Sequence, residues 1–181
     1  MKELNPKTLL EKIVVNVGVG KLSGQANFDD KILPEIKKEI SEITGQKPKE
    51  ARAKKSIAGF KLREGQVVGV VVTLRGQKMV DFFERMNRIV LPRVHDFKGL
   101  SVGTVDERGT LHVGFREQGV FPELNPEESH FSFSFGVNIV PKSYKRLEMI
   151  ETYKKLGVPF MKGEEAKAKG RGRKRRKSNK K

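Results

Sequence analysis

Residues 13–24 read IVVNVGVGKLSG, and the fold turns on whether they wrap a phosphate or form one strand of a half-buried sheet. A phosphate-binding loop needs a Gly five positions before its Gly-Lys pair and a Ser or Thr directly after the Lys. Those places hold Val15 and Leu22. A dinucleotide fingerprint that starts Gly18-x-Gly20 needs a third Gly at position 23, which is Ser23, with Gly24 one place late. What remains is alternation: Ile13, Val15, Val17 and Val19 interleave with Val14, Asn16 and Gly18, the period of a strand with one buried face. Asn16 then points away from the core.

The same period recurs further along. Val67–Leu74 is a very apolar strand, Leu111–Arg116 a second, and Phe131–Ile139 a third in which Phe131, Phe133, Phe135, Val137 and Ile139 share one face against Ser132, Ser134, Gly136 and Asn138. Helical spacing appears between them. Ile32, Leu33, Ile36, Ile40 and Ile43 form a stripe that Asp29 or Asp30 can cap and Gly45 can end, with Pro34 early enough to be tolerated. Met79, Phe82, Phe83, Met86, Ile89 and Val90 mark another helix, expected to stop by Pro92. A last helix over Ser143–Leu156 offers Tyr144, Leu147, Ile150 and Tyr153 to the core and stops at Gly157. Strands with one polar face, interleaved with striped helices, predict an α+β two-layer sandwich: a mostly antiparallel sheet with helices on one face and the other face free for a ligand.

Charge supplies the functional class. The 181 residues carry a net charge of +16 at a pI near 10.1. Residues 166–181, AKAKGRGRKRRKSNKK, account for ten of those charges with no acid, so the body is basic without them. A polyanion gains from such a chain by releasing condensed counterions, a salt-sensitive term with no sequence preference. An anionic membrane is the competing polyanion, but no basic amphipathic helix with large apolar anchors adjoins the tail. There is no cysteine, which excludes disulfides and thiolate metal sites, and neither a membrane span nor a signal peptide is legible. We expect a cytoplasmic protein with one domain over residues 1–161 and a disordered basic tail over 162–181.

Catalysis finds few candidates. His95, His112 and His130 are far apart with no metal-ligand spacing, and each reads as a surface or strand residue. No catalytic residue, metal ligand or cofactor site is assigned. Glu123, Glu127 and Glu128 share a Pro-punctuated loop that is either simply solvated or suited to a basic protein partner. Asn16, Gln46 and Thr73, if brought to one sheet face, can hydrogen-bond RNA sugars, phosphates or base edges. Residues 47–63 hold seven basic residues against one acid. In that segment Lys54, Lys55, Lys61 and Arg63, beside Phe60, either form a solvated loop or contact a phosphate backbone and stack on a nucleotide. Phe131, Phe133 and Phe135 read as core before they read as a stacking platform.

The stretch KKSIAGFKLREGQVVGVVVTLRG, residues 54–76, resembles the bacterial ribosomal protein L-five family, the 5S rRNA binders of the central protuberance of the large subunit. Further matches in order are VVNVGVG at Val14–Gly20, TGQKP at Thr44–Pro48, FFERM at Phe82–Met86, LPRVHDFKGLS at Leu91–Ser101, GFREQGVFPEL at Gly114–Leu124 and GVPF at Gly157–Phe160. The resemblance spans about residues 12–161. It implies a structural constituent of the large subunit that takes part in translation and is not an enzyme. It also implies a 5S rRNA contact through Asn16, Gln46 and Thr73, with Lys54 and Lys55 beside them. The Ser56–Gln66 loop, with Phe60, Lys61 and Arg63, is implied to reach the P-site tRNA. The loop from Phe121 to Phe131, with Glu123, Glu127 and Glu128, is implied to face protein S-thirteen of the small-subunit head across an intersubunit bridge.

Implied partners thus include 5S rRNA, large-subunit rRNA, P-site tRNA, S-thirteen and other central-protuberance proteins, with no membrane. Two departures stand out: only about a dozen residues precede the first strand, where members usually carry a longer helical segment, and the basic tail is an addition. In that tail Arg171, Arg173, Lys174, Arg175, Arg176 and Lys177 are expected to contact RNA without sequence preference. An RNA chaperone or regulatory RNA binder outside the ribosome is the alternative reading.

Overall fold

The computed structural model describes residues 5–20, 22–24, 27–60, 62–125, 129, 131–143 and 145–161. A short helix, α1 (Pro6–Leu9), opens under the side chain of Asn5 and leads into β1 (Leu10–Gly18). The chain continues through α2 (Leu33–Thr44), β2 (Lys49–Arg52), β3 (Val67–Leu74), α3 (Gly76–Arg85), α4 (Leu91–Arg93), β4 (Leu111–Phe115), β5 (Phe135–Pro141) and α5 (Arg146–Lys155). The five strands form one sheet in the order β2-β3-β1-β5-β4, and every neighbouring pair is antiparallel. The opening stretch is therefore the central strand of an α+β sandwich.

Alternation decides what each strand buries. Ile13, Val15 and Val17 of β1, Val70, Val72 and Leu74 of β3, and Val137 and Ile139 of β5 are buried in one cluster with Ile36, Ile40 and Ile43 of α2 and with Met79, Phe82 and Phe83 of α3. Each of these side chains contributes about 1.5–3 kcal/mol when fully withdrawn from water. Phe115, Phe121 and Phe135 close one end, with ring centroids 5.2 to 5.5 Å apart. The phenylalanines of the third strand are core, as their spacing predicts, with Phe133 and Phe135 buried and Phe131 packed against the cluster.

Four local expectations change. Asp29 and Asp30 do not cap α2; they lie in a π-helical turn, Phe28–Ile32, that runs into the helix, where their charge complements the positive helix end. The helix after β3 does not stop by Pro92. Its turn Met86–Val90 is π-helical, with the Leu91 N–H reaching back to the Met86 carbonyl, and this wider turn leaves room for the proline ring, so helix continues to Arg93. The ladder of the last strand begins at Phe135, not Phe131, because the backbone before it bonds a side chain instead: Gln118 donates to the Phe131 carbonyl at 2.6 Å and accepts from the Phe133 N–H at 3.1 Å. Leu147 is 55% exposed, because α5 starts only at Arg146 and turns Met149, Ile150 and Tyr153 inward. Tyr144 lies outside the described residues.

Candidate nucleic-acid interface

Strand register builds the uncovered face residue by residue. Asn16 stands opposite Val71 on one side and Gly136 on the other, and Val14 stands opposite Thr73 and Asn138. On the outer strand His112 pairs with Asn138 and Gly114 with Gly136. Asn16, Thr73, Asn138, His112, Gly18, Gly114 and Gly136 therefore share one face, opposite the helices, and none is buried. Beside Asn16 lies a shallow groove of about 380 Å³ lined by Gly18, Gly114, Arg116, Ser134 and Gly136. A β-carbon built on Gly18 or Gly114 would meet no atom within 4 Å, so the glycines leave open floor against which another backbone can lie.

Gln46 joins this face from the loop after α2. Its side-chain amide donates to the Thr73 carbonyl at 3.2 Å, which ties that loop to the end of β3. The loop is held from behind by cations at the helix C-terminus: Lys78 donates to the Gly45 carbonyl at 2.8 Å and Arg85 to the Ile43 carbonyl at 2.8 Å. Gly45 itself adopts φ 63°, the left-handed turn that ends α2 without a β-carbon penalty. The structure thus brings Asn16, Gln46 and Thr73 to one region.

Lys54, Lys55, Phe60 and Arg63 form a second group. The segment 53–66 is a hairpin with backbone pairs of its own: Ala53 with Gln66 at 2.9 Å, and Ile57 with Leu62 at 2.9 and 3.1 Å. Its tip is a 3-10 turn, Ala58–Phe60, with Phe60 81% exposed. Among the described residues no carboxylate pairs with Lys54, Lys55 or Arg63, whereas Glu50 on the adjoining edge strand is held by Lys37 and Arg52, both at 2.9 Å. Those two cations keep the Glu50 carboxyl below its ordinary range. Lys54 and Lys55 thus belong with Phe60 and Arg63 at the sheet edge, apart from the inner-strand residues Asn16 and Thr73.

Glu123 is committed inside the fold. Its carboxylate pairs with Arg85 at 2.9 Å, and the same guanidinium holds the end of α2, so this acid anchors its loop instead of offering a free charge. Lys61, Glu127, Glu128, His130 and the tail residues Arg171, Arg173, Lys174, Arg175, Arg176 and Lys177 lie outside the described residues.

Sequence reasoning missed Asn138 and took His112 only as a poor metal ligand. The Asn138 side-chain amide donates to the Asn16 Oδ1 at 2.8 Å, and the Asn138 Oδ1 lies 2.7 Å from the His112 Nδ1. The His112 Nε2 is 3.4 Å from Asp106. Burial works to raise the Asp106 pKa, but N–H groups of Thr110 and Arg108 and the His112 ring outweigh it, and the carboxyl ends below its usual value. The signal available was parity alone, which places Asn138 and Asn16 on polar faces without saying that the two strands are neighbours. Among the described residues no group of three or more His, Asp or Glu can hold a metal, and no helix is long and apolar enough to cross a membrane.

Two family models match almost end to end. One, described as "Ribosomal protein L5", covers residues 7–63, and a second, which describes the C-terminus of the same ribosomal protein family, covers residues 67–160. The chain is 44% identical over 165 residues to the large ribosomal subunit protein uL5 of Anaeromyxobacter dehalogenans, covering 88% of this chain and 89% of the relative. It is 41% identical over 168 residues to that of Thermotoga maritima, covering 90% and 89%. Against that of Malacoplasma penetrans it is 42% identical over 172 residues, covering 92% and 90%.

Proposed function

The chain belongs to the ribosomal protein uL5 family, non-enzymatic structural constituents of the large ribosomal subunit that work in translation in the cytoplasm, and from that premise we propose that it binds 5S rRNA through the open face of its sheet. The observation that carries this reading is the uncovered face itself. Four of the five strands present Asn16, Thr73, Asn138 and His112 among glycines on the side opposite the helices, with Gln46 tied to Thr73. Hydrogen-bonding groups over a floor without side chains suit an RNA strand lying flat, where specific contacts go to sugars, phosphates and splayed base edges.

The remaining parts take roles by charge and position. The hairpin 53–66, with Lys54, Lys55, Arg63, Lys61 and the projecting Phe60, reaches the elbow of the P-site tRNA through phosphate contacts and one exposed ring. The Phe121–Phe131 loop meets S-thirteen across the subunit interface through the acids Glu127 and Glu128, with Glu123 anchoring its base. Residues 1–161 act as one RNA-binding domain beside other proteins of the central protuberance. The tail 162–181 adds sequence-independent attraction to rRNA.

Reconstitution tests the reading. Large subunits assembled from parts without this protein should lack 5S rRNA, and the full chain should restore it. A chain carrying Asn16→Ala and Thr73→Ala should restore it poorly. Full recovery of 5S rRNA with that double variant would overturn the assignment to the sheet face, and binding of free RNAs without retention in subunits would favour the chaperone reading.

A further inference from the structure

We propose that Asn138 and His112 are positioning residues that lock Asn16 with its amide –NH₂ outward, so that the groove beside it accepts an RNA phosphodiester and not a hydrogen-bond donor. The inference deepens, and rests on, the reading of the open face as the RNA-binding surface. Its ground is the direction of two successive hydrogen bonds. The Asn138 Nδ2 donates to the Asn16 Oδ1 at 2.8 Å, which turns the oxygen of Asn16 toward Asn138 and its –NH₂ the other way. With its Nδ2 so engaged, Asn138 turns its Oδ1 to the His112 ring at 2.7 Å, and an amide oxygen there requires the proton on Nδ1. Behind the ring, the Asp106 carboxylate lies 3.4 Å from Nε2 and is itself held by the N–H groups of Arg108 and Thr110, both at 2.8 Å.

The chain of amides therefore has a polarity, read from the His112 Nδ1 proton outward. At its end the Asn16 Nδ2 has no partner among the described residues and is left to a ligand. Space agrees with this orientation. A β-carbon on Gly136 would stand 3.1 Å from the Asn16 Oδ1, so glycine at that position makes room for the locked amide. The groove it edges is floored by Gly18, Gly114 and Gly136 and bounded by Arg116, which is exposed and carries no ion pair among the described residues. A donor amide, a free guanidinium and a floor without side chains fit an anionic phosphodiester oxygen with its sugar lying flat.

Two measurements on the full chain decide it. In the free protein, nitrogen-detected NMR of the His112 side chain should show a proton on Nδ1; a bare Nδ1 with the proton on Nε2 alone would reverse the polarity and overturn the proposal without any reference to RNA. In 5S rRNA binding, His112→Leu and Asn138→Leu should each weaken affinity about fivefold, the worth of one net hydrogen bond. His112→Asn, which sets an amide donor where the Nδ1 proton stood, should keep affinity close to wild type. Neither leucine variant should weaken binding further once Asn16→Ala is present. Arg116→Gln should lower the slope of log affinity against log salt by about one phosphate's worth, while the leucine variants leave that slope unchanged.

Additive losses in the Asn16→Ala background, or failure of His112→Asn to rescue, would make these residues structural only and sink the proposal. An Asn16→Ala change with no effect on RNA would fail the sheet-face reading instead, and the NMR result would still decide the polarity.

Discussion

The two faces of this one sheet are made by the same strands, often by adjacent residues, and differ in almost everything else. Val15 and Val17 are buried under α2 and α3, while Asn16 between them is exposed; Val137 and Ile139 are buried, while Asn138 between them hydrogen-bonds across to Asn16. A period of two residues is enough to place stability on one face and recognition on the other. The core face is apolar, closely packed and indifferent to what lies beyond the sheet. The open face is glycine-rich and polar, with hydrogen-bonding capacity left for a ligand. Loss of a side chain should therefore cost folding on one face and binding on the other.

The largest expected effect lies on the core face. Phe82, 1% exposed and stacked 6.1 Å from Phe121, should cost about 3–5 kcal/mol of stability as Phe82→Ala, read as a lower melting temperature and denaturation midpoint. RNA affinity of the fraction that stays folded should be unchanged.

Two glycines on the open face sharpen the comparison by giving opposite outcomes. A β-carbon on Gly69 would sit 2.9 Å from the Val17 carbonyl oxygen, so Gly69→Val must shift the strands and should cost about 1–3 kcal/mol in denaturant unfolding. Gly114 has open space above it, and Gly114→Val should hold or raise stability while lowering 5S rRNA affinity about tenfold by filling the groove. Equal stability loss in both variants would break the distinction between a packed and an open position.

Tyr153 tests the buried polar links. Its hydroxyl is buried and lies 2.9 Å from the Gly109 carbonyl and 3.2 Å from the Ile139 carbonyl, and burial pushes its pKa up so that it stays protonated as a donor. Tyr153→Phe should cost about 1–2 kcal/mol in unfolding and leave RNA binding alone.

The smallest effect is a pH dependence. Glu39 on α2 is 5% exposed, and burial raises its pKa, reinforced by the charges of Glu35 and Glu42 and opposed by hydrogen bonds from Ser129 and Gln118. A carboxyl whose folded pKa lies above its unfolded value favours the native state most in acid, and that advantage is lost as pH rises from the unfolded pKa through the folded one. Glu39→Gln should therefore be more stable than wild type at neutral pH, with the gap closing below the ordinary carboxylate range. A gap that persists unchanged in acid would mean that the carboxyl is not the cause.

Much of this architecture was legible before any coordinates. Val67–Leu74 needed only its apolar run between turn residues, and the alternations at Ile13–Val19 and at Phe135–Ile139 gave buried faces that the structure reproduces. Local pattern failed where a distant partner decided. The strand Lys49–Arg52 hid within a basic stretch because an edge strand, exposed on most sides, shows no apolar alternation; its place comes from pairing with β3. Leu147 looked like core by spacing, but Arg146 bonds the carbonyls of Val105 and Val102 and the helix presents its next residue to solvent.

The candidate site divides in the same way. Asn16 can be placed on a polar face by counting, but that Thr73 of an apolar strand shares that face, and that Asn138 and His112 complete it, depends on β1 lying between β3 and β5, a register that no single strand encodes. Glu123 shows the reverse error: an acid in a loop read as available, yet paired with Arg85.

The central claim is that the open face, and not the net charge of +16, selects the RNA. The most direct test is the affinity of the full chain for 5S rRNA and for an unrelated structured RNA of equal length across a salt series, for wild type and for the Asn16→Ala, Thr73→Ala double variant. The account predicts that wild type keeps its preference for 5S rRNA as salt rises and both affinities fall. It predicts that the double variant loses the preference while its binding to the unrelated RNA, and its salt slope, stay as they were. If wild type binds both RNAs alike, or if the double variant keeps the full preference, recognition does not reside on this face and the account is wrong.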